Sequence, residues 1–231
     1  MHMEFYQQAV WPLALRLVHW LLGLSVIVLI ATGWLLGGGM VVNPPLHELL
    51  RGTLHVPAGQ IAAAALAGRL VLLAVDPGVS GWRALVPRSR DRAARSEMLR
   101  FYLSWGRRQP PGYYAHDPLW ILLYPVLFVL LGLQVFTGFA IHSQGLRQVA
   151  GLSMEGLLQW HSRTALFLMW LTGLHVASVL LREIRGRGYE VSAMLHGLKI
   201  FSREKGGVVN HADPVNVSVN DILKSRQKPN S

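Results

Sequence analysis

Four long apolar runs, near Leu13–Leu36, Leu54–Val75, Pro118–Ile141 and Trp160–Leu181, constrain this chain more than any other feature. An apolar helix of about 20 residues crosses a ~30 Å hydrocarbon layer, where only a helix or a closed barrel can satisfy its own backbone. Composition agrees. Of the 231 residues 52% are hydrophobic and 15% charged, against roughly 25% charged in an ordinary soluble domain. The expected fold is all-α, a membrane four-helix bundle over residues 1–205, followed by a polar tail over 206–231.

The connections set the topology. Gly37-Gly38-Gly39 and Asn43-Pro44-Pro45 break the chain between the first two spans, so the first hairpin has a short loop. After Asp76-Pro77-Gly78 comes a polar stretch carrying Arg83, Arg88, Arg90, Arg92, Arg95, Arg100, Arg107 and Arg108. Arg182, Arg185, Arg187, Lys199, Arg203, Lys205, Lys224, Arg226 and Lys228 follow the fourth span, whereas the opposite loops offer only Arg51 and Arg147. Basic loops stay in the cytoplasm, which places both termini there in a bacterial inner membrane. The first run is too long for a signal peptide, and Met1-His2-Met3-Glu4 before it is not basic. Within the basic loop Ser96–Gly106 is amphipathic, and Met98, Leu99, Phe101 and Tyr102 are its candidates for burial as a loop helix at the membrane surface. A formal charge of +10 is thus read as positive-inside loops and anionic lipid, with no nucleic-acid partner.

The chain holds no cysteine, so it cannot itself supply a disulfide, a thiolate zinc site, an iron–sulfur cluster or a covalent c-type haem. Glycine-loop phosphate motifs, hydrolase elbows and metalloprotease helices are absent as well. There is no repeat of fixed period and no low-complexity tract. Chemistry is therefore sought among the ten histidines, because ionisable groups inside a span are costly and usually functional.

Four of them fall into two pairs. His161 and His175 stand fourteen residues apart on the fourth span, about 21 Å along the axis and within about 40° of one face. His55 shares the outer depth with His161, and His19 shares the inner depth with His175. A haem iron takes two axial imidazoles from opposite sides, so the two pairs can hold two b-type haems, one near each membrane face. Arg69, fourteen residues after His55, falls at the inner level and is expected to pair with a haem propionate or, as the plainer alternative, to snorkel to the headgroups. Gly33, fourteen residues after His19, falls at the outer level, where a missing side chain admits a porphyrin edge or simply a neighbouring helix. In Tyr113-Tyr114-Ala115-His116-Asp117-Pro118, a quinone headgroup could meet Tyr114, His116 and Asp117 with protons from the cytoplasm; Asp117-Pro118 also reads as an ordinary helix start, with Asp as cap. His47 and His142 read as surface residues beside the outer loops, and His2, His196 and His211 as solvated.

These motifs together resemble the membrane cytochrome b subunit of uptake nickel–iron hydrogenases. Arg16-Leu17-Val18-His19-Trp20, Ala31-Thr32-Gly33, Leu54-His55, Gly68-Arg69, Ala115-His116-Asp117-Pro118, Thr137-Gly138-Phe139-Ala140, Trp160-His161 and Gly173-Leu174-His175 carry the likeness, from about Arg16 to Phe201. The resemblance implies a four-helix membrane bundle with two b haems, His19 and His175 on the inner iron and His55 and His161 on the outer. It also implies a periplasmic partner, the iron–sulfur small subunit of a hydrogenase, and quinone as electron acceptor. The architecture is similar to formate dehydrogenase gamma subunits and to cytochromes of thiosulfate reductase or heterodisulfide-reductase-like complexes. His-Asp-Pro stands here where many hydrogenase cytochromes have His-Asn-Pro. The alternative from a different class is a haem-free transporter whose histidines line a proton or metal path.

Overall fold

The structure, a computed structural model, describes residues 3–37, 43–185 and 190–204. The polar tail expected over 206–231, with His2 and His211, lies outside them. The described chain is largely helical, in the order β1 (Met3–Ala9), α1 (Leu13–Gly37), α2 (Pro44–Glu48), a π-helical turn (Leu49–His55), α3 (Val56–Val75), α4 (Arg92–Leu103), α5 (Trp120–His142), α6 (Gln144–Ala150), α7 (Met154–Arg185), α8 (Glu190–His196) and β2 (Leu198–Glu204). Residues 7–200 form one body, and 3–6 with 201–204 belong to a second, small unit.

Four helical stretches, Leu13–Gly37, Pro44–Val75, Trp120–His142 and Met154–Arg185, are long and apolar enough to cross a membrane. The chain is an integral membrane protein. Two of these stretches outrun the expected spans. Pro44 and Pro45, read from sequence as breakers, occupy the first helical positions of α2, where a missing N–H costs nothing, and Asn43 caps them through a side-chain bond from the Leu46 N–H at 3.0 Å. The helix then continues through the π turn, whose last bond runs from Val56 N–H to the Arg51 carbonyl. Pro57 follows at once. Lacking an N–H, it cannot donate to Thr53, and the wider turn takes up that loss just where His55 is presented.

The long helices pack as two hairpins, α1 against α3 and α5 against α7, joined by lighter contacts of α3 with α5 and α1 with α7. Halfway along, Val26, Leu66, Leu131 and Leu168, one from each, form a buried apolar layer, with Leu22, Ile30, Leu127, Phe128, Leu130 and Val135 packed around it. The histidines lie on either side of this layer along the sequence. On α7, His161, Leu168, His175 and Arg182 follow at seven-residue steps, each step returning to within about 20° of the same face.

Helix α4 starts at Arg92, earlier than the amphipathic stretch suggests. Met98 and Phe101 are wholly buried in protein, whereas Leu99 and Leu103 stay exposed. The strands β1 and β2, absent from the sequence reading, pair in a two-stranded sheet. Gly197, just before β2, has φ +85°, and a Cβ there would stand 2.9 Å from the Trp11 carbonyl, so only glycine suits that turn.

Candidate functional site

The rings of His55 and His161 face each other across the bundle with centroids 6.3 Å apart. Each is held from behind in the same way. Thr32 Oγ1 on α1 lies 2.8 Å from His55 Nδ1, and Thr137 Oγ1 on α5 lies 2.8 Å from His161 Nδ1. Both hydroxyls donate to the carbonyl four residues back, Val28 and Leu133, at 2.7 Å. A hydroxyl has one proton, so with that proton on the carbonyl it accepts from the ring. Both imidazoles are thereby fixed as the Nδ1–H tautomer, and Nε2 keeps its lone pair for a ligand. The next residue in each case is glycine. A Cβ at Gly33 or Gly138 would stand 3.5 Å from Cε1 of His55 or His161, in the space beside the ring. Gln134 adds support, donating to the His161 carbonyl at 2.8 Å and to Thr164 at 2.9 Å.

His19 and His175 also face each other, with centroids again 6.3 Å apart. Their surroundings differ. Among the described residues neither Nδ1 has a hydrogen-bond partner, although both are buried. Packing holds the rings instead: Trp20 stands edge-on to His19 at 5.5 Å, and Trp120 edge-on to His175 at 4.8 Å. Trp120 is itself pinned, its Nε1–H donating to Ser178 Oγ at 2.8 Å, and Ser178 donating to the His175 carbonyl at 2.8 Å. Arg69 is buried, donating from Nη1 to the Ser80 carbonyl at 2.6 Å, with its guanidinium 5.7 Å from the Phe128 ring centre. Asp76 shapes that loop by accepting from the Gly78 and Ser80 N–H groups, both at 2.9 Å, and the Ser80 side chain, together with those backbone bonds, holds its carboxyl below the usual carboxylate range.

Beside the His19–His175 level lies a buried charge cluster. Asp117 accepts from Arg182 Nη1 at 2.8 Å and from the Tyr102 hydroxyl, while its other oxygen takes the Leu119 and Trp120 N–H groups at 2.7 and 3.3 Å. It therefore caps α5, although the helix begins at Trp120 rather than Pro118. Arg182 Nη2 meets Glu190 at 2.7 Å, Lys199 meets the same Oε1 at 2.9 Å, and the Tyr113 hydroxyl donates to it at 3.0 Å. Among the described residues, two carboxylates here face two cations. Burial, with Asp117 adding to it, raises the Tyr102 phenol; burial likewise raises Tyr113 and lowers the Lys199 ammonium.

The three residues read as a quinone contact take different partners. His116 packs 5.1 Å from Trp11 and 5.5 Å from Tyr124, with Nε2 donating to the Val79 carbonyl at 2.8 Å, and burial lowers it to about 4. Tyr114 is exposed, its hydroxyl donating to the Ala9 carbonyl at 3.3 Å. Asp117 is committed to the charge cluster. His47 and His142 are exposed, as their positions suggest. Arg182, Glu190 and Lys199 escaped the sequence reading as site residues, yet Arg182 stands seven residues beyond His175 on the same face, a spacing that could have flagged it.

A profile of the prokaryotic cytochrome b561 family matches residues 10–197. The chain belongs to that family. Three relatives, each named "Probable Ni/Fe-hydrogenase B-type cytochrome subunit", are similar to this cytochrome b561 family member over most of their lengths. The protein from Azotobacter chroococcum mcd 1 is 28% identical over 218 residues, 85% of this chain and 90% of its own. That from Azotobacter vinelandii is 27% identical with the same coverage, and that from Cupriavidus necator is 27% identical over 83% of this chain and 86% of its own. No solved structure matches. A cytochrome b561 binds b-type haem, and the two histidine pairs suit it. Imidazole nitrogen bonds a first-row metal at about 2.0–2.1 Å and the ring centre lies ~1.1 Å behind it, so two rings on one metal have centres roughly 6 Å apart. Both pairs of this cytochrome b561 meet that spacing, and at one pair the free Nε2 is already selected.

Proposed function

We propose that this chain is a dihaem b-type cytochrome that anchors a hydrogenase at the periplasmic face and passes its electrons across the membrane to quinone. The observation that carries the reading is the pair of facing imidazole pairs, each 6.3 Å between ring centres, at two depths set by fourteen residues of α7. His55 and His161 hold the outer group, and His19 and His175 the inner one. Bound b-type haem supplies one-electron transfer at each level. The hydrogenase partner, through its iron–sulfur small subunit, is inferred from the relatives' names and from the lack of cysteine in this chain.

The chain's own residues do the rest. Arg69, buried near His19 and His116, offers a guanidinium to a haem propionate once it turns from the Ser80 carbonyl. Near the inner level, Tyr114 and His116 meet the quinone headgroup, and Asp117 supports them by holding Arg182 in place. His116, lowered to about 4, is neutral at pH 7 and keeps an acceptor nitrogen for a proton in transit. Basic loops put this end in the cytoplasm, together with both termini, in the inner membrane. An electron moving inward against a negative-inside potential loses about 2.3 kcal/mol per 100 mV for a full crossing, so the donor is a stronger reductant than quinone.

The test is haem content by pyridine haemochrome on the purified chain. About two b haems in the wild type, falling to about one in His161→Ala and in His175→Ala, is the expected result. A folded wild type without haem would leave the histidines as a proton or metal path and end the reading.

A further inference from the structure

The threonine–histidine bonds recur with a regularity that packing alone does not require. Thr32-Gly33 on α1 serves His55, and Thr137-Gly138 on α5 serves His161. From Thr32 to Thr137 is 105 residues, and from His55 to His161 is 106. The first helix of each hairpin supplies the hydroxyl and the glycine, and the second supplies the ring. At the other level the correspondence breaks: 105 residues after His19 stands Tyr124, and 106 after Arg69 stands His175. Neither His19 nor His175 has a partner at Nδ1 among the described residues. Threonine in a membrane helix often bonds back to the carbonyl four residues earlier. Here both hydroxyls do so and also receive an imidazole N–H at 2.8 Å.

We propose that Thr32 and Thr137 are matched positioning residues which strengthen His55 and His161 as electron donors and make their level the lower in reduction potential of the two. The proposal rests on the dihaem reading above. An acceptor on the far N–H fixes the ring and raises its basicity toward a metal. A more basic ligand stabilises the oxidised metal, which carries more positive charge, over the reduced one. Two such ligands act at one level and, among the described residues, none at the other. One electron entering from the periplasmic side at the His55–His161 level is then passed downhill to the His19–His175 level, and the first level is left oxidised for the next.

The experiment is a potentiometric titration of the full chain in detergent, followed at the reduced b-type alpha band. It compares wild type with Thr32→Val, Thr137→Val, the double variant, and Thr32→Ser with Thr137→Ser. Haem content of the wild type and of His161→Ala is measured first, so a failure of the dihaem reading is seen before any threonine variant and overturns both. With two haems present, His161→Ala should remove the lower-potential component. The valine variants should raise that component, the double variant most, and leave the higher one in place, while the serine variants keep the wild-type value. Loss of one haem in the valine but not the serine variants supports the same role, because the hydroxyl then decides whether the ring can bind. Unmoved potentials, a shift of the higher component, loss of the higher component in His161→Ala, or equal losses in serine and valine variants would overturn it.

Discussion

One carboxylate, Asp117, has several partners: two backbone N–H groups at the start of α5, the Tyr102 hydroxyl and the Arg182 guanidinium. Asp117→Asn preserves an oxygen for the cap and removes the charge facing Arg182. Breaking a buried pair costs about 3–5 kcal/mol because the remaining charge is left uncompensated. Glu190 still faces Arg182 at 2.7 Å, so the expected loss lies at the lower end, read as a fall in the thermal unfolding midpoint in detergent. An unchanged midpoint would show that the pair contributes nothing to stability. The cap was legible in the Asp-Pro order, whereas the ion pair was not, since Arg182 stands 65 residues away and nothing local announces a non-local partner. The same holds for Thr32 and Thr137. Their importance comes from a ring on another helix, and a hydroxyl in an apolar run has no periodic signature that names its target.

Helices reveal themselves in proportion to how much their own sequence decides them. The spans were legible because length and apolarity suffice to stabilise a helix in lipid, and the four histidines because depth follows from counting residues along a helix. Helix α4 was half-legible. Its amphipathic pattern located it, but which apolar residues meet protein depended on the chain around it: Met98 and Phe101 are fully buried and Leu99 is 48% exposed. Phe101→Ala should therefore cost about 3–5 kcal/mol by opening a cavity, while Leu99→Ala stays within about 0.5 kcal/mol. Chemical unfolding in detergent would separate the two, and equal effects would mean that α4 is not seated on the bundle through Phe101. The π turn and the β1–β2 pair were not legible. The former arises from Pro57 removing an N–H from a helix that would otherwise run on as a regular α-helix, and the latter joins strands nearly two hundred residues apart in sequence.

Across the whole molecule, asymmetric loop charge predicts an orientation that can be tested chemically. The chain has no cysteine, so single introduced thiols report without background. Asn43→Cys should react with a membrane-impermeant maleimide on intact spheroplasts, and Arg108→Cys only after the membrane is opened. The reverse pattern would place the arginine-rich loop outside and turn the direction of electron flow around. The apolar layer of Val26, Leu66, Leu131 and Leu168 has a bearing on either orientation. A bare ion in such a medium faces a solvation cost of tens of kcal/mol, whereas an electron can tunnel between sites on either side without carrying a hydration shell. On the dihaem reading proposed above, this apolar layer would insulate against protons and metal ions, so that redox work done across it is not lost as leak.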